Sequence, residues 1–537
     1  MRTALEKGKN IRFAVWMAVL LFLQLGVCFY FGNKKAGFHE DELYTFYSTN
    51  KTAGLSVNDR QWLTREQIRN DFVVLPGEGF RYGVVKQMQS WDVHPPFYYY
   101  LFHTACSLFP GVFSKWLGIG VNMIGFAGSF FLLAYVADMG KRGKMLSFLT
   151  CLAWGFGSAV ISGVMFIRMY QWLTFFVLLC LSLHIRAVKK NDFRAVTFFL
   201  PLAATVFFGF LTQYYYIIFH FFLGAGFVFM LLRKKRIKEL ISYGAVCGLG
   251  FAAAVAYYPA SLSHIFRGYR GTEAVSEFSN VSNTLGRLRF FYGLFDDFML
   301  NGTLSWWLLA LCLLAVTAFY LGKKGKGKGA AFDGMAGLIL FACAGYFFTI
   351  SKTALLLGES SSRYQLPIYG LMLFLVLYSV WTLCGALPFF SDSSADKERN
   401  YRMLAGVLGA VLVLTNAFAI RNGRVFFLYE EEKQVREYIQ AHKDDTVVVF
   451  YNDTLSGFTW WLSDELMEFD KVYLASQGNP DLISDEVILE SEKLLVYVAD
   501  YENKEECLER LMEANKHLKS CQIAAQKNFW TLYELGS

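Results

Sequence analysis

The stretch PFYYYLFHTACSLFP, residues 96–110, decides how this chain crosses a membrane. It is apolar and aromatic, but its 15 residues fall short of the roughly 20 that a helix needs to span a bilayer. Two prolines, Pro95 and Pro96, stand where a helix would begin, and proline is well tolerated in the first turn. The stretch therefore predicts a short helix at the membrane surface, where tyrosine is favoured.

The composition of the whole chain is that of an integral membrane protein. Of its 537 residues, 55% are hydrophobic, the mean hydropathy is +0.33, and there are 53 Phe, 30 Tyr and 12 Trp. No soluble domain is this apolar and aromatic. The net charge of +7 comes from short basic clusters between apolar runs, which argues against nucleic acid as a partner. The ten cysteines are scattered and form no CxxC motif.

Eleven other apolar runs are long enough to cross the bilayer. They cover residues 12–32, 115–137, 145–166, 171–188, 195–212, 214–232, 240–258, 303–321, 332–351, 366–386 and 402–420. If 96–110 does not cross, the basic clusters at 1–11, 140–144, 186–194, 233–239, 323–328 and 397–402 all fall on one side. The positive-inside rule then predicts a cytoplasmic N-terminus and an extracytoplasmic C-terminal segment.

Two domains follow from this pattern. Residues 1–420 form the transmembrane domain, with interfacial helices in a first outer loop at 33–114. Residues 421–537 hold 23 of the 44 acidic residues against 12 Lys and Arg. Their helical stretches alternate with strand-like runs such as TVVVFY (446–451) and KLLVYV (493–498), which is typical of a small α/β domain. The expected fold is an all-α polytopic membrane protein with about 11 transmembrane helices and this extracytoplasmic domain.

Polar side chains gather at the predicted outer ends of the spans, which suggests one shared cleft. They are Asp41 and Glu42 in FHEDELYTF (38–46), Asp92 and His94 before the double proline, and Arg168, Tyr170, Gln213, Tyr214, Arg363 and Tyr364 at later turns. Arg and Tyr at span ends are also common interfacial anchors. An acidic triplet such as Glu40, Asp41 and Glu42 is often part of a solvated loop. The DVHPP element has no such simple anchoring explanation.

These motifs resemble those of polytopic glycosyltransferases with the GT-C fold. The acidic pair just beyond the first span, followed in the same loop by DVHPPFYYYL (92–101), is most similar to the branch of protein O-mannosyltransferases and lipid A aminoarabinose transferases. The turns LTQYYY (211–216) and SRYQLPIYG (362–370) are also similar to that branch. The resemblance covers roughly residues 1–420 and does not identify the sugar.

The resemblance implies an inverting transfer of a sugar from a polyprenyl-phosphate donor to a protein, lipid or polysaccharide acceptor. Asp41 matches the catalytic acidic residue and Glu42 its partner, while His94 matches a position that contacts the lipid phosphate or a divalent metal. Arg363 and Tyr364 match a turn associated with donor phosphate binding. The branch often has an aspartate soon after the Arg of the second outer turn, and RMYQW (168–172) has none.

The chemistry fits these residue types. An acceptor hydroxyl needs a carboxylate to take its proton, and the departing phosphate needs cations, for which the guanidinium fork is suited. Asp41, Glu42 and His94 could instead hold Mn, Mg or Zn, because oxygen ligands with one imidazole suit such ions. No close ligand spacing in the sequence decides between these roles, so a divalent metal stays an open alternative.

Three other functions compete with a glycosyltransferase. A transporter or flippase of a lipid-linked sugar predicts ionisable residues near the midplane, whereas these spans are nearly free of charge. A receptor would have no use for so many spans. An O-antigen ligase or polymerase would use a large late outer loop, and the loop 259–302 carries Arg267, Arg270, Arg287 and Arg289. That last alternative stays open.

Overall fold

The computed structural model describes residues 2–51, 59–139, 143–324, 330–390, 397–454, 456–479, 484–501 and 503–537. Three of the predicted cytoplasmic clusters, 1–11, 140–144 and 323–328, lie partly outside the described residues. The chain is a polytopic membrane protein with a small C-terminal sheet, as the sequence predicts.

The membrane spans agree with the eleven predicted ones. Among the described residues, ten helices are long and apolar enough to cross a bilayer, and one bent pair of helices adds an eleventh candidate. That pair joins Gly143–Gly155 to Ser158–Met165 at an angle of 57° and corresponds to the run predicted at 145–166. The stretch at 96–110 forms a 12-residue helix, Phe97–Leu108, which at 1.5 Å per residue is too short to span.

The helices run through the whole chain. They are α1 (Arg2–Lys34), α2 (Glu40–Asn50), α3 (Arg65–Asn70), α4 (Tyr82–Trp91), α5 (Phe97–Leu108), α6 (Lys115–Ala137), α7 (Gly143–Gly155), α8 (Ser158–Met165), α9 (Tyr170–Lys190), α10 (Leu200–Thr212), α11 (Tyr215–Arg233), α12 (Ile237–Tyr257), α13 (Ala260–Phe266), α14 (Tyr269–Ser279), α15 (Thr284–Met299), α16 (Leu304–Lys323), α17 (Gly334–Thr353), α18 (Ser362–Ala386), α19 (Lys397–Arg421), α20 (Glu432–Ala441), α21 (Ser463–Leu466), α22 (Glu486–Leu489) and α23 (Lys504–Ala514). A π-helical turn, Ala195–Phe199, precedes α10, and short 3₁₀ turns cover Gly358–Ser361, Pro388–Phe390 and Ser456–Leu462.

The strands form a single six-stranded sheet within the described residues. They are β1 (Gln61–Thr64), β2 (Thr446–Tyr451), β3 (Lys471–Ser476), β4 (Lys493–Ala499), β5 (Ser520–Lys527) and β6 (Trp530–Gly536). The order across the sheet is β1-β3-β2-β4-β6-β5. Strands β2, β3 and β4 pair in parallel, while β1 and β6 join antiparallel at either side. The central strands are almost fully buried and rich in Val and Leu, as expected of parallel strands covered on both faces.

The chain divides into two compact units. The helical unit comprises Met1–Asn33, Gln89–Tyr98 and Gly118–Phe426, and the sheet unit comprises Lys34–Met88, Tyr99–Leu117 and Phe427–Ser537. The sequence-based boundary near 420 lies close to the observed division after Phe426. The sequence analysis places the first outer loop, 33–114, with the transmembrane domain, and most of that loop groups with the sheet unit.

Strand β1 shows why the first loop groups with the C-terminal part of the chain. Gln61 to Thr64 pair with Leu474 to Lys471 of β3 and so extend the sheet by one strand. The indole of Trp62 packs against Tyr473 at a centroid distance of 5.2 Å and donates a hydrogen bond of 2.7 Å to Asp485. A run of only four residues carries too little periodicity to predict such a strand from sequence.

Glycines create the bend in the helical unit. A Cβ atom on Gly155 would lie 2.2 Å from the side chain of Gln24, and one on Gly157 would lie 2.6 Å from Met299. A side chain at either position would force these neighbours to shift, and the pair of glycines lies where α7 ends and α8 begins. Helix α9 follows this bend along the chain, and α18 lies much later in the sequence. These two helices are the most buried of the ten spans.

Candidate functional site

Helix α2 carries the acidic pair of the sheet unit, and its first turn is fixed by a capping box. His39 is the N-cap residue, and its Nδ1 accepts a 3.0 Å hydrogen bond from the backbone N–H of Asp41. The carboxylate of Glu42 accepts a 2.7 Å hydrogen bond from the backbone N–H of His39. Acidic side chains at this end also interact favourably with the helix dipole. The sequence HEDE thus specifies where the helix begins.

Glu42 is buried and ion-paired. Its Oε2 lies 2.8 Å from the ammonium nitrogen of Lys35, and neither side chain is accessible to solvent. Lys35 also donates a 2.6 Å hydrogen bond to the carbonyl oxygen of Phe427. Burial lowers the pKa of Lys35, and the Glu42 carboxylate opposes that effect. Glu42 therefore holds the start of α2 in place, and its carboxylate is enclosed by protein groups.

Asp41 differs from its neighbour because its side chain is 33% exposed. Its Oδ2 lies 3.8 Å from Nδ1 of His39, whose ring is held edge-on against Phe427. Successive helical residues point in different directions, so the pair divides into one buried and one accessible carboxylate. Asp41 is therefore the solvent-accessible member of the pair.

A network of buried charges in the C-terminal part of the sheet unit lies next to the segment that leads into α2. The ammonium of Lys527 lies 3.1 Å from Glu432, 3.2 Å from Asp464 and 3.0 Å from Glu465. Burial and the two neighbouring carboxylates raise the pKa of Glu432 to about 7. A Cβ on Gly37 would lie 2.0 Å from Glu432 Oε2, so a side chain at this position would force the carboxylate to shift.

Arg363 occupies a buried aromatic cage in the helical unit. Its guanidinium carbon lies 4.9 Å from the ring centre of Phe166, 5.8 Å from that of Tyr170 and 5.1 Å from that of Tyr364. A guanidinium nitrogen donates a 3.2 Å hydrogen bond to the Tyr364 hydroxyl. Stacking on aromatic faces is a property of the planar guanidinium that an ammonium group lacks.

The same cage includes the predicted residues at the second turn. Arg168 is buried in the short connection between α8 and α9, and Tyr170 begins α9. The Tyr170 ring packs edge-on against that of Tyr364 at 5.7 Å. The Tyr346 hydroxyl donates a 2.9 Å hydrogen bond to the carbonyl oxygen of Tyr364. Tyr170, Arg363 and Tyr364 are therefore in contact with one another, and Arg168 lies two residues before Tyr170. A substrate-binding role for these four residues stays a prediction.

The turn before α11 contributes one ring to each of two clusters. Tyr215 packs edge-on against Tyr364 at 6.0 Å, so it belongs to the Arg363 cage. Tyr214, which the motif comparison singled out, faces away from it, and its hydroxyl lies 2.9 Å from Nδ1 of His264. Gln213 accepts a 2.7 Å hydrogen bond from the N–H of Tyr214 through its own side chain, which fixes the turn.

Asp92 and His94 lie beside Tyr214 and the segment that follows α12. The carbonyl oxygen of His94 accepts a 3.4 Å hydrogen bond from the Tyr258 hydroxyl. Burial and the Asp92 carboxylate both raise the pKa of the Tyr214 phenol. Among the residues that the structure describes, Oδ2 of Asp92 is buried without a hydrogen-bond partner. A buried carboxylate oxygen in that state is costly unless a bound group donates to it.

The predicted metal ligands do not form a recognisable metal site. Within the described ranges, no group of three or more His, Cys, Asp and Glu side chains is arranged to hold an ion. Glu42 does not fit as a ligand, because its carboxylate is enclosed by Lys35 and the N–H of His39. Metal binding by Asp41, Glu42 and His94 stays a prediction.

Sequence reasoning did not single out several residues that build these clusters. Lys35 reads as one of two basic residues at the end of a span, and only the fold shows that it pairs with Glu42. Phe166 and Tyr215 lie next to predicted site residues in apolar or aromatic runs, where one more ring carries no signal. His264 lies in the loop 259–302 and contacts both Tyr214 and the carbonyl oxygen of Ser90, a link between distant segments that local pattern cannot reveal.

Comparison with known proteins relates the chain to others by fold. No protein-family model matches the sequence, and no curated protein matches it either. Two solved structures are similar over 98% of both chains: ArnT from Cupriavidus metallidurans bound to undecaprenyl phosphate, with 12% identity and a TM-score of 0.51, and the same protein in the apo state, with 13% identity and a TM-score of 0.50. These matches confirm the resemblance in fold to the GT-C aminoarabinose transferase branch. The chain therefore has the polytopic fold of that branch, joined to a six-stranded C-terminal sheet.

Proposed function

We propose that this protein is an integral membrane glycosyltransferase that transfers a sugar from a polyprenyl-phosphate donor to an acceptor hydroxyl on the extracytoplasmic face. The observation that carries the proposal is the full-length similarity in fold to a structure of ArnT bound to undecaprenyl phosphate. The clusters around Asp41, Asp92 and Arg363 supply the polar groups that such a reaction needs.

Arg363 is the proposed ligand of the donor phosphate. Negative charge accumulates on the phosphate as the bond to the sugar breaks, and a guanidinium can pair with two of its oxygens. Packing against Phe166, Tyr170 and Tyr364 restricts the guanidinium before substrate arrives. A cation held in place in a low-dielectric setting stabilises developing charge better than a mobile one. Arg168 adds a second positive charge to the same cage.

Asp41 is the proposed general base. The acceptor oxygen attacks the anomeric carbon, and its proton passes to the Asp41 carboxylate. The bond between the anomeric carbon and the phosphate oxygen breaks, and its electron pair leaves with the polyprenyl phosphate. A single displacement of this kind inverts the configuration at the anomeric carbon.

Glu42 acts as a positioning residue in this scheme. Its carboxylate fixes the first turn of α2 through Lys35 and the His39 N–H, so that the adjacent Asp41 is presented from a rigid helix end. A general base must be held within hydrogen-bond reach of the proton that it takes. No step of the proposed reaction is routed through a metal ion.

Asp92 and the tyrosines near it are the proposed contacts to the sugar. The buried Asp92 oxygen without a described partner would accept a hydrogen bond from a sugar hydroxyl. The Tyr214 hydroxyl is held by His264, which orients the ring at the same place. Aromatic faces also pack well against the apolar faces of sugar rings. His94 follows Asp92 and is proposed to contact the head of the donor.

One of the four arginines behind the O-antigen ligase or polymerase alternative, Arg287, is engaged within the protein. That alternative relied on arginines in the loop 259–302. Arg287 donates a 2.7 Å hydrogen bond to the carbonyl oxygen of Ser351 and another bond to that of Ala354, and it lies 3.2 Å from Glu277. It therefore ties α15 to α17 and α14, and it is engaged in holding helices together. A flippase remains the other alternative. It would move the lipid-linked sugar across the membrane without breaking the bond between the sugar and the phosphate.

The test is to incubate the purified full-length protein with a panel of polyprenyl-phosphate sugars and membranes of the source cells as acceptor. We expect release of free polyprenyl phosphate and appearance of the sugar in acceptor material with at least one donor. A flippase would translocate a donor across a vesicle membrane and leave its sugar attached. Failure of every donor in the panel, together with such translocation, would refute the glycosyltransferase proposal.

A further inference from the structure

A cleft in the sheet unit, distinct from the clusters described above, has the chemistry of an anion site. Its volume is 470 Å³, and it is lined by Arg65, Arg69 and Lys443 together with Val112, Phe113 and Glu468 among others. Three different parts of the unit meet there: helix α3, the turn that follows α5, and the segments around α20 and α21. Three cations converge on this space against one carboxylate.

The carboxylate of Glu468 is already engaged within the protein. It accepts a hydrogen bond from the side-chain amide of Gln440 and lies 3.8 Å from a guanidinium nitrogen of Arg436. Arg65 is partly committed as well, because it donates to the carbonyl oxygen of Glu468 at 2.6 Å and lies 3.1 Å from Asp470. The cleft therefore keeps a net positive charge that these contacts do not neutralise.

Arg69 and Lys443 supply that net positive charge. Nε of Arg69 is buried without a hydrogen-bond partner in the part of the chain that the structure describes. Lys443 is exposed at the rim, two residues beyond the end of α20. Arginine forks pair with two oxygens of a phosphate, and lysine acts on it as a point charge. The residue types at the cleft match a phosphate group better than a carboxylate.

Apolar side chains are exposed to solvent beside the cleft. Val112, which lines the cleft, is 43% exposed, and its neighbours Leu108 and Phe109 are 62% and 57% exposed. Lys115, which begins the span α6, comes only two residues after Phe113. An exposed apolar turn so close along the chain to a span is expected at the level of the lipid headgroups.

We propose that this cleft binds the phosphate of an anionic membrane lipid, with the apolar turn 108–112 contacting the upper part of its acyl chains. Arg69 and Lys443 contact the phosphate, and Val112 faces the glycerol and first methylene groups. A free phosphate or the phosphate of a soluble molecule would satisfy the cations but would leave the apolar turn exposed. A lipid satisfies both, since basic residues beside a membrane surface attract anionic headgroups.

Packed aromatic rings connect the cleft to helix α2 within the same unit. The ring of Phe113 lies 5.3 Å from that of Phe38 and 4.7 Å from that of Phe46. Phe38 precedes the N-cap of α2, and Phe46 lies on its second turn. A lipid seated in the cleft would restrict Phe113 and, through it, helix α2. The binding proposal itself stands on the cleft alone and does not depend on the proposed reaction.

The test measures binding by the purified full-length protein in a neutral detergent. The probe is a short-chain phosphatidylglycerol, compared with phosphatidylcholine of the same chain length, glycerol 3-phosphate and inorganic phosphate. We expect saturable binding of phosphatidylglycerol at least tenfold tighter than that of the other three. The double variant Arg69→Gln/Lys443→Gln should weaken it about tenfold or more.

Two controls distinguish binding in the cleft from general electrostatic attraction of the lipid to the protein. The double variant Lys433→Gln/Lys516→Gln removes the same charge from exposed positions elsewhere in the unit, and it should bind as the wild type does. Lys443→Gln alone, at an exposed position, should weaken binding several-fold even if the Arg69 change disturbs folding. Equal binding of inorganic phosphate and phosphatidylglycerol would overturn the lipid proposal. Equal losses in both double variants would overturn the cleft as the site.

Discussion

The ammonium nitrogen of Lys35 lies 2.8 Å from Oε2 of Glu42, and both side chains are fully buried. One residue away, the Asp41 carboxylate remains a third exposed. The acidic motif at the start of α2 therefore contains two carboxylates with different tasks. The buried one is part of the structure that fixes the helix end, and the accessible one is the proposed general base.

Removing Lys35 should destabilise the protein strongly. Lys35→Met leaves the Glu42 carboxylate buried without its cation, and breaking a buried pair in this way costs about 3–5 kcal/mol. The measurement is thermal unfolding of the purified protein followed by tryptophan fluorescence. The matched control is Lys34→Met, because Lys34 pairs with Glu430 at 3.4 Å in a partly exposed position and such pairs contribute about 1 kcal/mol or less.

The double variant Lys35→Met/Glu42→Gln tests whether the pair is the cause. Neutralising both partners removes the buried unpaired charge, so the double variant should be more stable than Lys35→Met. A double variant no more stable than Lys35→Met would show that the lysine stabilises the fold by some other contact.

Strand β1 should contribute to the stability of the sheet unit although it comes from the first loop. Trp62→Ala removes the packing against Tyr473 and the hydrogen bond to Asp485, and we expect a loss of about 2 kcal/mol in the free energy of unfolding. Trp91→Ala, at a tryptophan that is 66% exposed, is the control and should have little effect. Equal effects of the two changes would argue against a structural role for this strand.

The Arg363 cage should discriminate between arginine and lysine. Arg363→Lys keeps the positive charge but loses the planar fork and the stacking on Phe166 and Tyr364. We expect KM for the polyprenyl-phosphate donor to rise about tenfold, with unchanged thermal unfolding. Arg402→Lys, on an exposed side chain paired with Glu398, serves as control. An unchanged donor KM in Arg363→Lys would remove Arg363 from phosphate binding.

Glu432 should make the stability of the protein depend on pH. Its pKa is raised from 4.5 to about 7 in the folded protein, so between these values the folded state holds a proton that the unfolded state has lost. This contribution is fully present below pH 4.5 and is lost as the pH rises through 7. Glu432→Gln cannot ionise, so the Tm of the variant minus that of the wild type should become more positive from pH 5 to 8.

The control for this effect is Glu437→Gln, on the same helix at a side chain that is 68% exposed. Its Tm difference from the wild type should stay constant over the same pH range. A constant difference for Glu432→Gln as well would mean that the carboxyl ionises normally in the folded protein.

The sequence predicted the spans well and the tertiary partners poorly, for physical reasons. A span is a local property, because about 20 consecutive apolar residues suffice to define it, and even the bent pair at 143–165 was found as one run. The short helix at Phe97–Leu108 was recognised for the same reason, from its length. The parallel strands β2 and β4 were likewise visible as short apolar runs.

Contacts between distant segments leave no such local signal. The pairing of β1 with β3 joins residues about 400 positions apart. Most of the first loop therefore groups with the sheet unit, although the sequence analysis places that loop with the transmembrane domain. Tyr215 is the ring that packs against Tyr364, and a run of three tyrosines at a turn does not indicate from sequence which of them does so. Glu42 and Asp41 look alike in sequence, and only Lys35 distinguishes them.

The most direct test of the account compares the wild type with Asp41→Asn, using any polyprenyl-phosphate sugar that the wild type consumes and following release of the lipid phosphate. Because the side chain is a third exposed and Asn is nearly isosteric, the variant should unfold at the wild-type temperature. Loss of a general base should slow turnover by about 100-fold or more. Near-normal turnover in a folded variant would contradict the assignment of Asp41 as the base.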